Sequence, residues 1–275
     1  MSDSPKVSVV LTTLDEERNI DRCLSSVQWA DEIVVVDSMS SDRTVELARK
    51  YTSRVFQHEF PGSSRQVERG IRYTTGEWVF YIDADEEVSP ELALQIRDAV
   101  RDPGEVVGYE VLRKPSAFGK WIEHGGWFPD YPFRLFRKYS YVADHQEVHG
   151  GFRTRGVKGR LDGLLYHHTY EKISSYVKKM NDYTSLQVSN KLAAEPALRP
   201  GPGKMILSPL SHFLRLFISK RGYLDGFHGF VLAVLDATYT LLLYAKIWEY
   251  RTRLAEGGTL PPVTNVDLNK VKHRS

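Results

Sequence analysis

The sequence predicts an α/β fold: a doubly wound, mostly parallel sheet with helices on both faces, followed by a C-terminal α-helical extension. Three observations lead to this prediction. Apolar runs of strand length alternate with amphipathic helix patterns four times within residues 1–103. Acidic side chains follow two of those runs directly, at Asp37 and at Asp83. A nearly unbroken apolar stretch over residues 227–248 has the length of a long helix.

The composition is that of a folded globular protein. Hydrophobic residues make up 41% and charged residues 26% of the 275 residues, so the chain is able to bury one large core. The net charge is +2 and the basic residues are not gathered in one region, which argues against nucleic-acid binding. Cys23 is the single cysteine, so neither a disulfide framework within the chain nor a cysteine-rich zinc site is expected. The first residues do not resemble a secretory signal, so a cytoplasmic location is expected.

The first three strands and their helices are predicted from apolar runs and helix-start residues. Three runs have the character of buried strands: residues 7–11, 33–36 and 54–56. Acidic residues from Asp15 begin a first helix, because the helix dipole stabilises negative charge in a first turn. Asp42 is expected to cap a second helix over residues 43–51. A third helix, over residues 64–73, carries Arg65 and further basic residues.

The fourth strand leads directly into a pair of carboxylates. Residues 78–82 are apolar or aromatic throughout, as in a strand covered on both faces, and Asp83 and Asp85 follow where the strand ends. Ligands of open α/β sheets bind at this edge, so this Asp-x-Asp motif is suited to Mg²⁺ or Mn²⁺. A polar turn that binds no ligand is the alternative. Ser89 then caps a helix that has Pro90 at its first position.

The same edge of the sheet is suited to a nucleotide. Asp37 ends the second strand, so its carboxylate is expected to accept hydrogen bonds from a base or ribose. Arg65 and the other basic residues of the third helix would lie close to this edge. No Gly-x-Gly-x-x-Gly follows the first strand and no Walker phosphate loop is present, which disfavours a dinucleotide fold.

An aromatic, glycine-rich stretch begins the second half of the chain. Residues 106–112 are predicted to form a strand, and an irregular segment over residues 118–130 follows. It contains Trp127 and Asp130. A sugar-stacking wall and a packed loop under the sheet are both compatible with this composition.

Basic and titratable side chains follow that stretch. The alternation in residues 133–137 predicts a strand with Arg134 and Arg137 on one face, an arrangement suited to phosphates. Residues 144–149 include four titratable side chains, namely Asp144, His145, Glu147 and His149. His167 follows in a later short strand. Two histidine clusters and an acidic pair in one domain favour an active site over isolated structural histidines.

The C-terminal third is predicted to be helical. A helix pattern over residues 171–194 is followed by a Pro- and Gly-rich linker at 195–204. Residues 205–254 form an apolar and amphipathic extension, and the run over 227–248 is long enough to cross a bilayer. Asp236 near the middle of that run argues against a simple span.

The flanks of this extension favour an anchor on an anionic membrane surface. They carry basic and aromatic residues, namely Lys220, Arg221, Tyr223, Trp248, Tyr250, Arg251 and Arg253. An apolar helical hairpin packed on the sheet domain or in a dimer is the alternative. The tail over residues 255–275 is polar and expected to be poorly ordered.

Several segments resemble a known family. Val9–Ile20, Val36–Thr44 and Ile82–Glu86 together resemble the family 2 glycosyltransferases with the GT-A fold. Later segments are similar to the bacterial enzymes that add a hexose to the inner core of lipopolysaccharide, the WaaE/KdtX group. These are Gly126–Asp130, Arg134–Arg137, Glu147–His149, His167–Tyr170 and Arg221–Gly226. The resemblance covers nearly the whole chain.

The resemblance implies an inverting, metal-dependent transfer of a hexose from a nucleotide-sugar. A UDP-sugar is the expected donor and Mn²⁺ or Mg²⁺ the expected cofactor. By position, Thr12, Glu16 and Asp37 would contact the nucleotide. Asp83 would approach the ribose or a metal-bound water, and Asp85 would ligate the metal.

Other positions have less definite implied roles. His167 would add a metal or phosphate contact. Acceptor or phosphate contacts are expected from Trp127, Asp130, Arg134, Arg137 and His149. Asp15 stands where the family often has Asn. Gly150 stands where the group usually has Glu, so Glu147 or Asp144 is the expected catalytic base.

The implied organisation is a GT-A catalytic domain over residues 1–194, with a nucleotide-sugar half at about 1–103 and an acceptor half at about 104–194. The linker, extension and tail follow. The expected partners are a nucleotide-sugar, a glycolipid acceptor and the inner face of the plasma membrane, where the protein would be peripheral; a second copy of the chain is left open. Two alternatives remain: a polyprenyl-phosphate glycosyltransferase, and an inactive module that binds a nucleotide-sugar or lipid.

Overall fold

The structure is a computed structural model that describes residues 5–143 and 151–255. The described residues fall into two compact units, each assembled from two segments of the chain. The first unit lies within Met1–Pro115 and Pro129–Thr169. The second lies within Ser116–Phe128 and Tyr170–Ser275.

Most of the β-structure lies in the first unit. The strands of the described residues are β1 (Val7–Thr13), β2 (Glu32–Asp37), β3 (Val55–Gln57), β4 (Trp78–Asp83), β5 (Glu86–Val88), β6 (Val106–Ala117), β7 (Lys120–Trp121), β8 (Phe133–Arg137), β9 (Val142–Ala143), β10 (Phe152–Arg153) and β11 (Val157–Tyr170). The main sheet has the order β3-β2-β1-β4-β8-β6-β11-β5, and β7 pairs with the end of β6. β9 and β10 form a separate antiparallel pair.

The four strands β1 to β4 pair in parallel. β1 lies between β2 and β4, and β3 extends the sheet beyond β2. β8 joins β4 in the antiparallel direction, and β6 joins β8 in the same way. The strand order therefore reverses at β1, and in doubly wound sheets the crevice at such a point holds the ligand.

Helices cover both faces of the parallel strands. The first unit contains α1 (Ile20–Ser26), α2 (Thr44–Ala48), α3 (Ser63–Tyr73) and α4 (Pro90–Arg101). Residues of α1, α2 and α4 share one buried cluster with Val9 and Phe80, whereas α3 packs in a second cluster with Val10 and Val79. Because neighbouring strand residues point to opposite faces, the sheet is buried on both. The predicted doubly wound α/β fold is confirmed.

The helix starts show where local patterns sufficed and where they did not. Ser89 caps α4 as predicted, since its hydroxyl accepts a hydrogen bond from the Leu92 N–H at 3.1 Å. The helix expected from Asp15 begins only at Ile20. Asp15 has a left-handed backbone angle (φ 54°), which interrupts a right-handed helix and which Asp and Asn adopt more readily than most residues.

The second unit is mainly helical. It contains α5 (Ile173–Ala194), α6 (Pro202–Leu214) and α7 (Phe227–Ala255). A π-helical turn (Arg215–Ser219) and a 3₁₀ turn (Gly222–Asp225) connect α6 to α7. α7 packs against both α5 and α6, and it is long and apolar enough to cross a membrane by length and composition.

Candidate functional site

The carboxyl ends of β1, β2 and β4 bring a row of polar side chains together. In the sheet register Thr13 is paired with Asp37 of β2, and Thr12 is paired with Asp83 of β4. Thr12, Thr13 and Asp37 are buried, and the Asp83 side chain is 44% exposed. This row lies at the carboxyl edge where the strand order reverses, which is the ligand position of doubly wound sheets and is called the crevice below. The structure brings three of the predicted nucleotide contacts together at this edge.

Asp37 holds the loop that follows β2. One of its carboxylate oxygens accepts hydrogen bonds from the Ser40 N–H at 2.9 Å and from Gln57 Nε2 at 3.0 Å, and the other accepts from the Ser40 hydroxyl. The side chain is fully buried. In this state Asp37 therefore shapes the rim of the crevice and does not face solvent.

The loops after β1 and β2 are joined by reciprocal hydrogen bonds. The Asp15 carboxylate accepts from the Ser41 N–H at 2.8 Å, and the Asp15 N–H donates to the Ser40 hydroxyl at 2.8 Å. The Glu16 N–H donates to Thr44 Oγ1 at 2.7 Å, and the Glu16 carboxylate accepts from Asn19 Nδ2 at the same distance. Glu16, a predicted nucleotide contact, is therefore buried within a hydrogen-bond network at the crevice rim.

The α3 residue that reaches this rim is Gln66. It is fully buried and its Nε2 donates to the Ser38 hydroxyl at 3.1 Å, whereas the neighbouring Arg65 is exposed. Sequence reasoning missed Gln66. Gln66 lies four residues before Gly70, so the two residues share one face of α3. That face is turned towards the sheet, because a Cβ atom at Gly70 would meet Val10 Cγ1 at 2.4 Å.

Asp83 and Asp85 differ in their surroundings. The Asp83 carboxylate accepts from the Arg134 guanidinium at 2.8 Å. Burial alone would raise the pKa of Asp83, but the charge and the hydrogen bond of Arg134 act in the opposite direction, and the net result is a pKa below its usual value. Asp85 is nearly buried, and its carboxylate lies 3.2 Å from His167 Nε2. Asp85 and His167, the two predicted metal ligands, are thus neighbours.

The side chains of Asp85 and His167 suit a divalent cation whose other ligands come from water and substrate. A carboxylate oxygen and an imidazole nitrogen are both ligands of Mn²⁺, and Mg²⁺ also accepts carboxylates. Among the described residues there is no cluster of three or more His, Cys, Asp or Glu side chains close enough to hold a metal alone. Asp85 and His167 therefore fit an ion whose other ligands are waters and substrate phosphates.

A buried ion-pair chain lies beside this turn. Glu86 is fully buried and accepts from Arg134 at 2.6 Å and from Arg113 at 3.1 Å. Arg113 also donates two hydrogen bonds to one carboxylate oxygen of Asp130, at 2.8 and 2.6 Å. The sequence-based expectations included Asp130 and Arg134 but missed Glu86 and Arg113.

The prediction that Arg134 and Arg137 share one face is wrong. They lie three residues apart in β8, and side chains at that spacing in a strand point to opposite faces. Arg134 is buried with its guanidinium 4.3 Å from the centre of the Tyr81 ring. Arg137 is exposed and pairs with Trp78, at the end of β4 remote from Asp83.

Trp127 belongs to the second unit. It is half-buried, its ring meets that of Tyr170 edge-on at 6.2 Å, and its Nε1 donates to Asp236 at 3.4 Å. Its loop is tied to the 3₁₀ turn, because the Asp225 carboxylate accepts from the N–H groups of Glu123 and His124. The described contacts of Trp127 are therefore those of a packed loop.

Three predicted site residues lie outside the described residues. These are Asp144, Glu147 and His149. The proposed base is among them, so its role stays a prediction from the sequence.

Comparison with known proteins gives a consistent family. The sequence profile of glycosyl transferase family 2 matches residues 8–159. The lipopolysaccharide core biosynthesis glycosyltransferase LpsC of Rhizobium meliloti is 29% identical, over 88% of this chain and 92% of LpsC. An uncharacterised glycosyltransferase of Rickettsia prowazekii is 26% identical, over 88% of this chain and 86% of that protein.

The alignment with a solved structure is partial. Glucosyl-3-phosphoglycerate synthase from Mycobacterium tuberculosis, in complex with Mn²⁺ and UDP-glucose, aligns with a TM-score of 0.37 and 24% identity. The alignment covers 40% of this chain and 44% of that chain.

Proposed function

The chain belongs to glycosyltransferase family 2, with the GT-A fold, and from this premise we propose that it transfers a hexose, with inversion, from a nucleotide-sugar to a lipopolysaccharide-core or other cell-envelope glycan. The observation that carries the proposal is the row of Asp37, Thr12 and Asp83 at the crevice, with Asp85 and His167 beside it. The similarity to LpsC along most of both chains supports the acceptor class.

The crevice residues have complementary tasks in binding the donor. Thr12, Glu16 and Asp37 would contact the nucleoside, and Asp83 is the exposed carboxylate that is able to meet the ribose or a metal-bound water. Asp85 and His167 would hold Mn²⁺ or Mg²⁺. When bound, this ion stabilises the negative charge that develops on the departing diphosphate.

The acceptor half of the reaction needs a base. In an inverting transfer the acceptor hydroxyl loses its proton as it attacks the sugar from the face opposite the leaving group, and a carboxylate usually accepts that proton. Asp144 and Glu147 remain the candidates on sequence grounds.

Replacing the base should remove transfer without affecting donor binding. We expect either Asp144→Asn or Glu147→Gln to lower kcat by about 10²- to 10⁴-fold, the usual contribution of a positioned base. The measurement is steady-state transfer, with nucleoside diphosphate binding as the check on donor affinity. Glu46→Gln, at an exposed carboxylate of α2, is the control. Full activity in both variants would remove this cluster from the chemistry.

The function is tested by a donor and acceptor screen. Nucleotide-sugars are offered with Mn²⁺ or Mg²⁺, and release of nucleoside diphosphate is recorded. Truncated lipopolysaccharide is compared with undecaprenyl phosphate, since the exposed apolar surface of the second unit also fits a polyprenyl-phosphate acceptor. Release that depends on truncated lipopolysaccharide supports the proposal. Release that depends only on undecaprenyl phosphate overturns the acceptor class, and no release with any donor overturns the activity.

The helical unit favours peripheral binding to the inner face of the plasma membrane. α6 buries none of its residues, and an apolar stripe runs along it into the π-helical turn. The stripe consists of Leu207, Leu210, Leu214 and Ile218, each about half exposed or more. Residues 196–224 contain no Asp or Glu but five basic residues, namely Arg199, Lys204, Arg215, Lys220 and Arg221. Apolar side chains flanked by positive charge suit an anionic lipid surface.

Polar bonds between α7 and α5 argue against a simple span. Asp236 is half-buried and accepts from the Tyr176 hydroxyl at 2.5 Å. Lys246 donates to oxygens of Asn181, Thr184 and Ser185 at 2.5–2.9 Å. A span would carry these groups, and charged residues of α5, into hydrocarbon, where they are costly.

Acidic substitution on the stripe should therefore weaken membrane binding. We expect the double substitution Leu207→Glu and Leu210→Glu to reduce binding to phosphatidylglycerol vesicles by about tenfold or more, since it removes apolar contact and adds repulsion. Co-sedimentation of the full chain measures this. Leu94→Glu is the matched control, because Leu94 and Leu207 are both 65% exposed. If Leu94→Glu reduces vesicle binding by the same factor, the proposal is contradicted. It is also contradicted if the wild type is a dimer and the double substitution dissociates it, because the stripe is then a dimer interface.

A further inference from the structure

We propose that Glu86 is a positioning residue for donor binding: its buried carboxylate holds the turn from Asp83 to Asp85 in the shape that the nucleotide-sugar and its metal ion require. The inference rests on the proposed function, because it assigns Glu86 a role at that same site. Glu86 is not among the expected site residues, and its carboxylate oxygens are engaged by the Asp83 N–H and by the guanidinium groups of Arg113 and Arg134.

Glu86 uses both carboxylate oxygens to fix its surroundings. Oε2 accepts the Asp83 N–H at 3.0 Å, which closes the turn between β4 and β5. Oε1 accepts from Arg134 at 2.6 Å and from Arg113 at 3.1 Å. One side chain therefore ties the backbone of the Asp-x-Asp motif to two guanidinium groups.

The backbone of Glu86 also sets the position of the proposed metal ligands. Asp85 immediately precedes it, and His167 is its partner in the β5–β11 ladder. In addition, the His168 N–H donates to the Asp85 carbonyl at 2.9 Å. The 3.2 Å approach of Asp85 to His167 thus depends on the turn that Glu86 closes.

The charge of Glu86 controls how strongly Arg134 binds Asp83. Arg134 Nη2 donates to both carboxylates, and Asp83 is the more exposed of the two. While Glu86 is negative, it shares the positive charge of Arg134. Without that charge, Arg134 would be neutralised by Asp83 alone, and the Asp83 carboxylate would be drawn towards the interior.

Stability alone is a poor reason for this arrangement. Burying ion pairs is costly, and well-packed apolar residues in the same space are often equally or more stabilising. A buried carboxylate between two arginines is useful where it holds neighbouring side chains in a single arrangement. The exposed side chain whose geometry it defines is Asp83, in the candidate donor site.

Two substitutions separate positioning from mere support of the core. Glu86→Asp keeps the buried charge but is one methylene too short to reach Asp83 N–H and both guanidinium groups together. Glu86→Gln keeps the length but removes the charge. Glu87→Gln is the matched control, because Glu87 is the next residue of β5 and pairs with Arg22 and His168 instead.

The readouts are calorimetric binding of UDP, GDP and ADP with Mn²⁺, thermal unfolding, and KM values for donor and acceptor. We expect Glu86→Asp and Glu86→Gln to weaken nucleoside diphosphate binding by about 10- to 100-fold, as is typical when a residue that supports a metal site is changed. The KM for the donor should rise by a similar factor, the KM for the acceptor should stay unchanged, and Glu87→Gln should bind as the wild type does.

The outcomes distinguish this inference from the proposed function. If the wild type binds one of the three nucleotides and both Glu86 variants bind it equally well, the positioning role is overturned and the proposed function stands. If binding falls only in proportion to the unfolded fraction, Glu86 supports the core alone and the inference is again overturned. If the wild type binds none of them, the proposed function fails and this inference fails with it.

Discussion

Replacing Asp85 by Asn should lower glycosyl transfer by about 10³-fold, because a metal ion that stabilises a leaving diphosphate contributes several kcal/mol to the transition state. Asn keeps the shape of the side chain but lacks the charge that attracts the ion. The measurement is release of nucleoside diphosphate at saturating donor and Mn²⁺, with thermal unfolding recorded for the same samples.

The control for Asp85 is Asp98→Asn. Asp98 lies on α4 with its side chain 71% exposed, and it pairs with Arg101 at 3.1 Å. We expect this variant to keep wild-type activity. Asp85→Asn with more than about a tenth of wild-type turnover would mean that the ion is held elsewhere or is not needed, since loss of less than 1.4 kcal/mol is too small for a metal ligand of this kind.

Arg134→Met should strongly destabilise the first unit, although the two side chains are similar in length. Arg134 is 4% exposed and compensates the fully buried Glu86. Removing Arg134 leaves the buried Glu86 carboxylate with Arg113 as its remaining cationic partner, and breaking a buried ion pair typically costs about 3–5 kcal/mol of unfolding free energy. Urea denaturation of the full chain, followed through the transition of the sheet-bearing unit, measures this cost.

Arg137→Met provides the matched comparison in the same strand. Arg137 is exposed, so its replacement should change the unfolding free energy by only about 0.5 kcal/mol.

Arg134 also holds the pKa of Asp83 below its usual value. That contribution is present at neutral pH and is lost as the pH falls through the lowered pKa, so the gap between wild type and Arg134→Met should narrow in acid. Equal costs for the two arginines at neutral pH would contradict the buried ion-pair chain.

The sequence predicted those parts of the site that depend on local patterns. The strand ending at Asp83, the Ser89 cap and the position of Asp37 at a strand end follow from apolar runs and turn residues. The polar row across β1, β2 and β4 then follows from parallel pairing, because the carboxyl ends of parallel strands meet at one edge.

What the sequence could not predict depends on contacts between distant residues. Glu86 looks like one more acidic residue of a turn, and its partners Arg113 and Arg134 are 27 and 48 residues away. Asp15 is a residue type that is common at helix starts, yet it has a left-handed backbone angle and accepts a hydrogen bond from Ser41, 26 residues later. No local propensity contains such information.

Gln66 and Arg137 illustrate a different limit. Both could have been assigned from periodicity, by the inward face that Gln66 shares with Gly70 and by the odd spacing of Arg137 from Arg134. The arginines were selected for their positive charge. The side chains that reach the carboxyl edge are the buried ones, Gln66 and Arg134, whereas Arg65 and Arg137 are exposed.

A divalent cation at Asp85 should join a nucleoside diphosphate to the carboxyl edge of β1, β2 and β4. Crystals soaked with UDP and MnCl₂, with anomalous diffraction recorded at the manganese edge, test it most directly. We expect a manganese peak beside the Asp85 carboxylate, with the diphosphate on its far side and the nucleoside towards Asp37. A nucleotide bound elsewhere, or an Asp85 that remains on His167 with no manganese beside it, would contradict the account.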